Sequence, residues 1–246
     1  MSERNEPAIS RPEPRGCVII PAYREAGRIG AVVERVRGFV PDVLVVDDGS
    51  PDETATQATQ AGAIVIRHPA NCGKGAALDT GFRAARERGF DFVITLDGDG
   101  QHAPSDLPAF IQEFKRTGTP VLIGTRMADA RDMPWVRYLT NRFMSWLLSR
   151  EMGQWIPDTQ CGYRLYALAG VPEISVRSKR FAAESEILMD LSQRGVKIGS
   201  VPVTTIYGSE KSKIHPVKDT IRFLKMLYHF RKQARVSKQS AAGSKQ

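Results

Sequence analysis

The chain has 246 residues, of which 41% are hydrophobic and 25% charged, and it carries a formal net charge of +8. This is a globular composition, long enough for one large domain or two small ones, and it excludes a chain disordered throughout. No stretch approaches the ~20 apolar residues that a membrane-spanning helix needs, so any membrane contact is expected to be peripheral.

The charge is unevenly placed: −3 over residues 1–125, +9 over 126–235 and +2 over 236–246. A basic second half suits an anionic partner such as phosphate, lipid headgroups or nucleic acid, and equally an ordinary solvated surface of lysine and arginine. Cys17, Cys72 and Cys161 are odd in number and lack metal-ligand spacing. They imply a reduced, cytoplasmic setting, with neither a disulfide framework nor a zinc site. The opening segment MSERNEPAISRPEPRG has no apolar run of the kind that makes a signal peptide.

Residues 1–15 read as a loose, proline-bearing tail. Cys17–Ile20 is a short apolar strand ending at Pro21, and Ile29, Val32, Val33 and Val36 follow at helical spacing. Val43–Val46 is a second strand, followed by a turn over Asp47–Pro51 and a polar helix to about Gly62. Ile64–Ile66 is a third strand, Gly73–Arg88 an alanine-rich helix, Phe92–Leu96 a fourth strand, Asp106–Arg116 a helix and Val121–Ile123 a fifth strand. Continuous β-branched runs alternating with helices predict the α/β class, with a mostly parallel sheet covered on both faces. Ligands of such sheets bind outside the carboxyl ends of the strands. The second half is less regular. Pro134–Arg150 reads as a helix with Trp135, Leu139, Phe143, Trp146 and Leu147 on one broad face. A loop over Asp158–Gly162, a helix over Glu184–Arg194, a strand-like Ile198–Val203 and a long helix over Pro216–Arg235 follow, and 236–246 is a second loose tail. The expectation is one domain over 16–235, with halves 16–125 and 126–235.

Thr95-Leu96-Asp97-Gly98-Asp99-Gly100-Gln101-His102 directly follows a strand. Residues two apart in extended chain point the same way, so Asp97 and Asp99 can bring two carboxylates together. Such a pair repels unless a cation neutralises it, and a hard oxygen-loving ion such as Mg²⁺ or Mn²⁺ is the natural occupant. A solvated Asp-Gly turn has the same sequence signature. Asp47-Asp48-Gly49-Ser50-Pro51-Asp52 offers acids to a base N–H or to ribose hydroxyls, while Ser50 or Asp52 also suits a helix cap. Pro21-Ala22-Tyr23-Arg24-Glu25 offers a ring to stack on a base and a carboxylate for a ribose, or is an ordinary turn. Asn71-Cys72-Gly73-Lys74-Gly75 opens a helix whose N–H groups favour anions, but it is not an ATPase phosphate loop. Asp158-Thr159-Gln160-Cys161-Gly162-Tyr163-Arg164 suits a substrate-facing loop or a structural connection. In the final helix Val217, Ile221, Leu224 and Tyr228 form an apolar stripe beside Lys218, Arg222, Lys225 and Lys232. That pattern rests either on a membrane surface or on the protein's own core.

Taken together and in this order, the motifs from Cys17 to Phe230 resemble glycosyltransferase family 2, especially the dolichol- and polyprenyl-phosphate mannosyltransferases. The resemblance implies a GT-A fold, a nucleotide-sugar donor (GDP- or UDP-linked), Mg²⁺ or Mn²⁺, and inversion at the anomeric carbon. It assigns Pro21, Tyr23, Glu25, Val46 and Asp48 to the nucleotide. Asp97, Gly98 and Asp99 match the family's Asp-x-Asp motif at metal and diphosphate, with Gln101 as a further metal ligand. Arg126 matches an arginine near donor sugar or acceptor phosphate, Arg137 a second phosphate-binding arginine, and Lys213 a lysine on a loop over the donor phosphates. Thr204-Thr205-Ile206-Tyr207-Gly208 lacks an arginine that the mannosyltransferases carry there, which leaves mannose and guanine open. The acceptor implied is a lipid phosphate, reached from a peripheral position on the cytoplasmic membrane face, and no nucleic acid is implied. Two other readings stand beside it. One is a transferase acting on a glycan hydroxyl, for which Asp158 is the candidate base. The other is a non-catalytic nucleotide- or anion-binding protein of the same fold.

Overall fold

A computed structural model of the protein describes residues 13–127, 133–174 and 182–206, together with Phe223, Leu227 and Tyr228. Lys213, nearly all of the expected final helix and the tail over 236–246 lie outside the described residues. The expected first tail ends anchored: the Arg15 backbone N–H donates to Asp91 Oδ2 at 2.7 Å, and its guanidinium pairs with Asp42 at 3.1 Å.

The first half alternates as its sequence requires. β1 (Gly16–Ala22), β2 (Val43–Asp47), β3 (Ile64–Arg67) and β4 (Phe92–Thr95) are joined by α1 (Ile29–Arg37), α2 (Thr54–Gln60) and α3 (Lys74–Glu87). β1 pairs in parallel with both β2 and β4, and β2 with β3. Val18, Ile19, Ile20, Leu44, Val45, Val93 and Ile94 are buried because helices cover both faces of these strands. Each such side chain removed from water contributes about 1.5–3 kcal/mol, which is what unbroken apolar runs supply and alternating ones do not. Edge strand β3 is only partly covered, and Ile64 is exposed.

α4 (Leu107–Thr117), β5 (Val121–Thr125), α5 (Trp135–Met152), β6 (Arg164–Ala167), α6 (Ala182–Gln193) and β7 (Ile198–Pro202) complete one seven-stranded sheet in the order β3-β2-β1-β4-β6-β5-β7. β6 runs antiparallel between β4 and β5. It has no counterpart in the sequence reading, because Arg-Leu-Tyr-Ala opens with a charge. Arg164 is nonetheless fully buried, donating to the carbonyls of Cys161 at 2.7 Å, Glu184 at 2.8 Å and Thr159 at 2.9 Å. A buried guanidinium stays charged where its N–H groups all find oxygens.

Two patterns that the sequence leaves without a direction gain one in the structure. The aromatic face of α5 is its outer face: Trp135, Leu139, Phe143 and Trp146 are exposed, while Asn141, Met144, Ser145, Leu148 and Ser149 point inward. In the last segment Phe223 and Leu227 are buried and Tyr228, assigned to the apolar stripe, is exposed. The three cysteines are free, and burial pushes the thiols of Cys17 and Cys161 up to about 12.

Candidate active site

The polar motifs gather beyond the carboxyl ends of β1, β2 and β4. On the β1–β2 side, Ala22 O accepts from the Asp48 backbone N–H at 2.8 Å. Ser50 Oγ accepts from Arg24 N–H at 3.0 Å, and Thr54 Oγ1 from Glu25 N–H at 2.9 Å. These bonds fix the loop bearing Pro21, Tyr23 and Glu25 against the turn after β2. Tyr23 is exposed, Pro21 and Glu25 are partly covered, and Glu25 pairs with Arg28 at 3.4 Å. Pro21 and Val46 are register partners, and the Val46 side chain is fully buried, so what Val46 offers a ligand is backbone.

Asp48 is buried and already engaged. Its oxygens accept from the backbone N–H of Cys72 at 2.8 Å and of Gly73 at 2.7 Å, and Oδ1 lies 2.8 Å from His68 Nδ1. Gly49, at φ +71°, permits this: a Cβ there would come within 2.5 Å of the Ala70 backbone. The loop before α3 thereby lies directly over the β2 turn. Asp48, His68 and Cys72 hold three possible metal-ligand atoms within 4.8 Å of one another, but hydrogen bonds already account for the carboxylate. Asp47, beside it, pairs with Arg67 at 3.2 Å. Neither Ser50 nor Asp52 is the N-cap residue, which is Glu53 with no side-chain cap bond; Asp52 Oδ1 instead accepts from the Thr54 N–H at 3.2 Å just before α2.

The Asp-x-Asp segment lies on this platform. A Cβ on Gly98 would touch Glu25, Ile20 and Ile29 at 3.5 Å, so Gly98 lets the segment rest against the 21–25 loop. Asp97 accepts from the Lys74 ammonium, which also reaches Glu184 Oε1 at 2.8 Å, and His102 Nε2 stands 3.7 Å from Asp97 Oδ2. Burial works against both charges. The mutual attraction wins, holding the Asp97 carboxyl well below the usual carboxylate range and the Lys74 ammonium above the usual lysine range. Gly162 closes this cluster from the β6 side: a Cβ there would meet Glu184 Oε1 at 2.9 Å and Asp97 Oδ2 at 3.1 Å. Asp99 is partly covered, its Oδ1 accepting from Gln101 N–H at 3.0 Å. The sequence marks Lys74 only as part of a helix-opening segment that favours anions, and Glu184 only as the start of a helix. An acid in a first helical turn is ordinary, so nothing in the sequence marks Glu184 as a partner of Asp97.

The donor set fits a divalent cation. Asp97 and Asp99 are hard carboxylates, Gln101 adds an amide oxygen, and Mg²⁺ or Mn²⁺ commonly takes a few protein oxygens and completes its shell with substrate phosphates and water. The structure itself shows the preference for positive charge here, since the Lys74 ammonium bridges Asp97 and Glu184.

On the other side of β4, Arg126 follows β5 and is buried against Asp158, with Nε to Oδ2 at 2.7 Å and a terminal nitrogen to Oδ1 at 2.9 Å. Asp158 is 0% exposed and also accepts from Gln160 N–H at 3.2 Å. As placed, it secures Arg126 rather than facing an incoming hydroxyl. Ser145 of α5 accepts from Thr159 N–H at 2.9 Å, and Thr95 Oγ1 donates to Gly162 O at 2.9 Å, so the 158–162 loop is tied to α5 and β4 together. Arg137 is partly buried in the first turns of α5. After β7, Ile206 N–H donates to Gln101 O at 2.9 Å, Thr204 N–H to Asp106 Oδ2 at 2.7 Å, and Thr205 bridges His102. The chain that leads toward Lys213 therefore starts on the Asp-x-Asp loop.

The chain is 32% identical over 213 residues to UDP-N-acetylglucosamine–dolichyl-phosphate N-acetylglucosaminyltransferase of Methanococcus voltae, covering 77% of this chain and 85% of that one. It is 31% identical over 213 residues to polyprenol monophosphomannose synthase of Mycolicibacterium smegmatis, covering 81% and 80%. To undecaprenyl-phosphate mannosyltransferase of Micrococcus luteus it is 33% identical over 207 residues, covering 78% and 84%. The fold matches the crystal structure of glucosyl-3-phosphoglycerate synthase from Mycobacterium tuberculosis in complex with UDP at TM-score 0.66 and 21% identity, over 81% of this chain and 74% of that one. It is the GT-A fold. Residues 17–169 match the sequence profile of glycosyl transferase family 2, and the chain belongs to that family and is a glycosyltransferase.

Proposed function

We propose that the chain moves a sugar from a nucleotide-diphosphate sugar, GDP- or UDP-linked, to a polyprenyl-type lipid phosphate, with Mg²⁺ or Mn²⁺ held by Asp97, Asp99 and Gln101. The observation that carries this reading is the meeting of Asp97, Lys74 and Glu184 at the end of β4, between the β1–β2 platform and the arginine-bearing loops of the basic half. The names of three relatives, each acting on a polyprenyl- or dolichyl-type phosphate, support the acceptor class.

In this reading Pro21, Tyr23, Glu25, Val46 and Asp48 surround the nucleoside, with Asp48 also ordering the loop before α3. A divalent metal, when bound, neutralises the departing diphosphate as a Lewis acid. Lys74 sits one contact from Asp97 and adds positive charge on the same side, as Lys213 does in the family pattern. The acceptor phosphate oxygen forms the new bond to the anomeric carbon as the bond to the diphosphate oxygen breaks, and the nucleoside diphosphate leaves. A phosphate monoester is already ionised near neutral pH, so this step needs no base. Arg126 and Arg137 are the cations that orient it. A glycan-hydroxyl acceptor needs a base, and the buried, arginine-bound Asp158 does not supply one.

The test is thermal stability of the purified protein with GDP-, UDP-, CDP- and dTDP-sugars, with Mn²⁺ or with chelator. Ligand at about 100 times its dissociation constant adds about 2.7 kcal/mol of stability. The expected result is a rise with one nucleotide class that needs the metal and disappears in Asp97→Asn. An equal rise under chelator, or in Asp97→Asn, contradicts the metal assignment.

A further inference from the structure

Among the described residues, the exposed large apolar side chains concentrate on α5 and the turn after it: Trp135, Val136, Leu139, Phe143, Trp146 and Trp155. At 100° per residue, Trp135, Leu139, Arg142, Phe143, Trp146 and Arg150 fall within about a 100° sector of α5, on the side away from the buried Asn141, Met144 and Leu148. Trp135 is 72% exposed and Trp146 46%. Arg142 and Arg150 are exposed in the same stripe, and Arg150 lies over the Trp146 ring at 6.0 Å. No acidic residue falls in the sector, whose length is about 22 Å at 1.5 Å rise per residue.

We infer that this face of α5 is the surface by which the protein rests on an anionic lipid bilayer. Three features select that occupant. Indole and phenyl rings interleaved with arginine match the headgroup–acyl boundary, where rings enter the interface and guanidinium groups meet lipid phosphates. A second copy meeting face to face would bring Arg142 and Arg150 toward their own counterparts with no acid in the stripe to receive them. Residues 229–246 carry arginine and lysine and no acid, so their charge does not complement this stripe. The opposite face of α5 holds Thr159 through Ser145, and the loop so held carries Asp158, the partner of Arg126. One helix thus ties the lipid surface to the acceptor side of the active site. The inference places the lipid carrier of the proposed acceptor, and in that respect rests on the proposed function, but the binding surface itself is testable without turnover.

All three tryptophans of the chain, Trp135, Trp146 and Trp155, lie in this region and are exposed, so intrinsic tryptophan fluorescence reports on this surface alone. The experiment adds vesicles of phosphatidylglycerol and phosphatidylcholine, or of phosphatidylcholine only, to the full chain at low and high salt, reading both fluorescence and co-sedimentation. The expected result is a blue shift and sedimentation with the anionic vesicles, weakened by salt. Partitioning should fall at least tenfold in L139Q/F143Q/W146Q and become insensitive to salt in R142Q/R150Q, with the melting temperature and the metal-dependent nucleotide shift unchanged in both. Failure of the wild type to bind anionic vesicles overturns the inference, as does undiminished binding by L139Q/F143Q/W146Q. It is also overturned if the substitutions instead dissolve a self-associated species seen by light scattering. Vesicle binding without sugar transfer to any lipid phosphate would remove the proposed acceptor and leave the surface standing.

Discussion

Lys74 occupies the place where a cation is wanted. Its ammonium bridges Asp97 and Glu184, so two carboxylates that would otherwise repel share one internal counter-charge. A divalent cation held by Asp97 would compete with that charge, which would leave the lysine to the diphosphate. Lys74→Met should therefore tighten Mn²⁺ binding in the absence of nucleotide by at least about tenfold, or ~1.4 kcal/mol, while lowering turnover. Electron paramagnetic resonance of free Mn²⁺ measures the first effect directly. Unchanged Mn²⁺ affinity in Lys74→Met would show that the lysine does not guard the site. Asp97 and Asp99 are marked in the sequence by their spacing and their place after a strand, which is enough to find them. Glu184 is marked by nothing beyond a helix start, because its contact with Asp97's partner Lys74 is set by how the chain before β6 brings Gly162 against both carboxylates.

Among the elements, β1 to β5 were legible as unbroken apolar runs, which β1, β2, β4 and β5 owe to burial on both faces and the partly covered edge strand β3 to its β-branched residues. β6 was not, since its first residue is a buried arginine whose burial is made tolerable only by three carbonyls from elsewhere. α5 was legible as a helix but not in its direction. Periodicity identifies an apolar face without saying what faces it, and here Ser145 and Ser149 point inward because they bond the 156–159 loop. That loop matters to the site through the Arg126–Asp158 pair. Removing one partner of a buried ion pair typically costs about 3–5 kcal/mol, since the other charge keeps its desolvation. Asp158→Asn should lower stability on that scale in chemical denaturation and reduce activity, while Phe143→Ser, on the outer face of α5, should stay within about 0.5 kcal/mol of wild type. A fully stable Asp158→Asn would mean that the pair does not organise the acceptor side.

At the scale of the molecule, the change of charge along the chain does not coincide with a division of the sheet, since β5, which ends the acidic first half, pairs with β6 and β7 of the basic half. The acidic first half forms the β1–β4 platform and donates the Asp-x-Asp segment, and the basic second half supplies Arg126, Arg137 and the arginines of α5. No helix among the described residues is long and apolar enough to cross a membrane. In the proposed reading, a surface helix whose outer face is aromatic and cationic, and whose inner face holds the 156–159 segment, offers a way to reach a lipid-borne phosphate from outside the bilayer. The amino-acid pattern showed the half-by-half charge and the family order of motifs. It did not show that the aromatic face looks outward, which is a property of packing. The most direct measurement is sugar transfer to a polyprenyl phosphate in detergent, followed by mass spectrometry of the lipid product, with Mn²⁺ and with chelator. The account predicts a polyprenyl-monophosphate sugar formed from one nucleotide-sugar class, absent under chelator and absent in Asp97→Asn. Product formed equally under chelator, or a sugar delivered only to glycan hydroxyls, would contradict it.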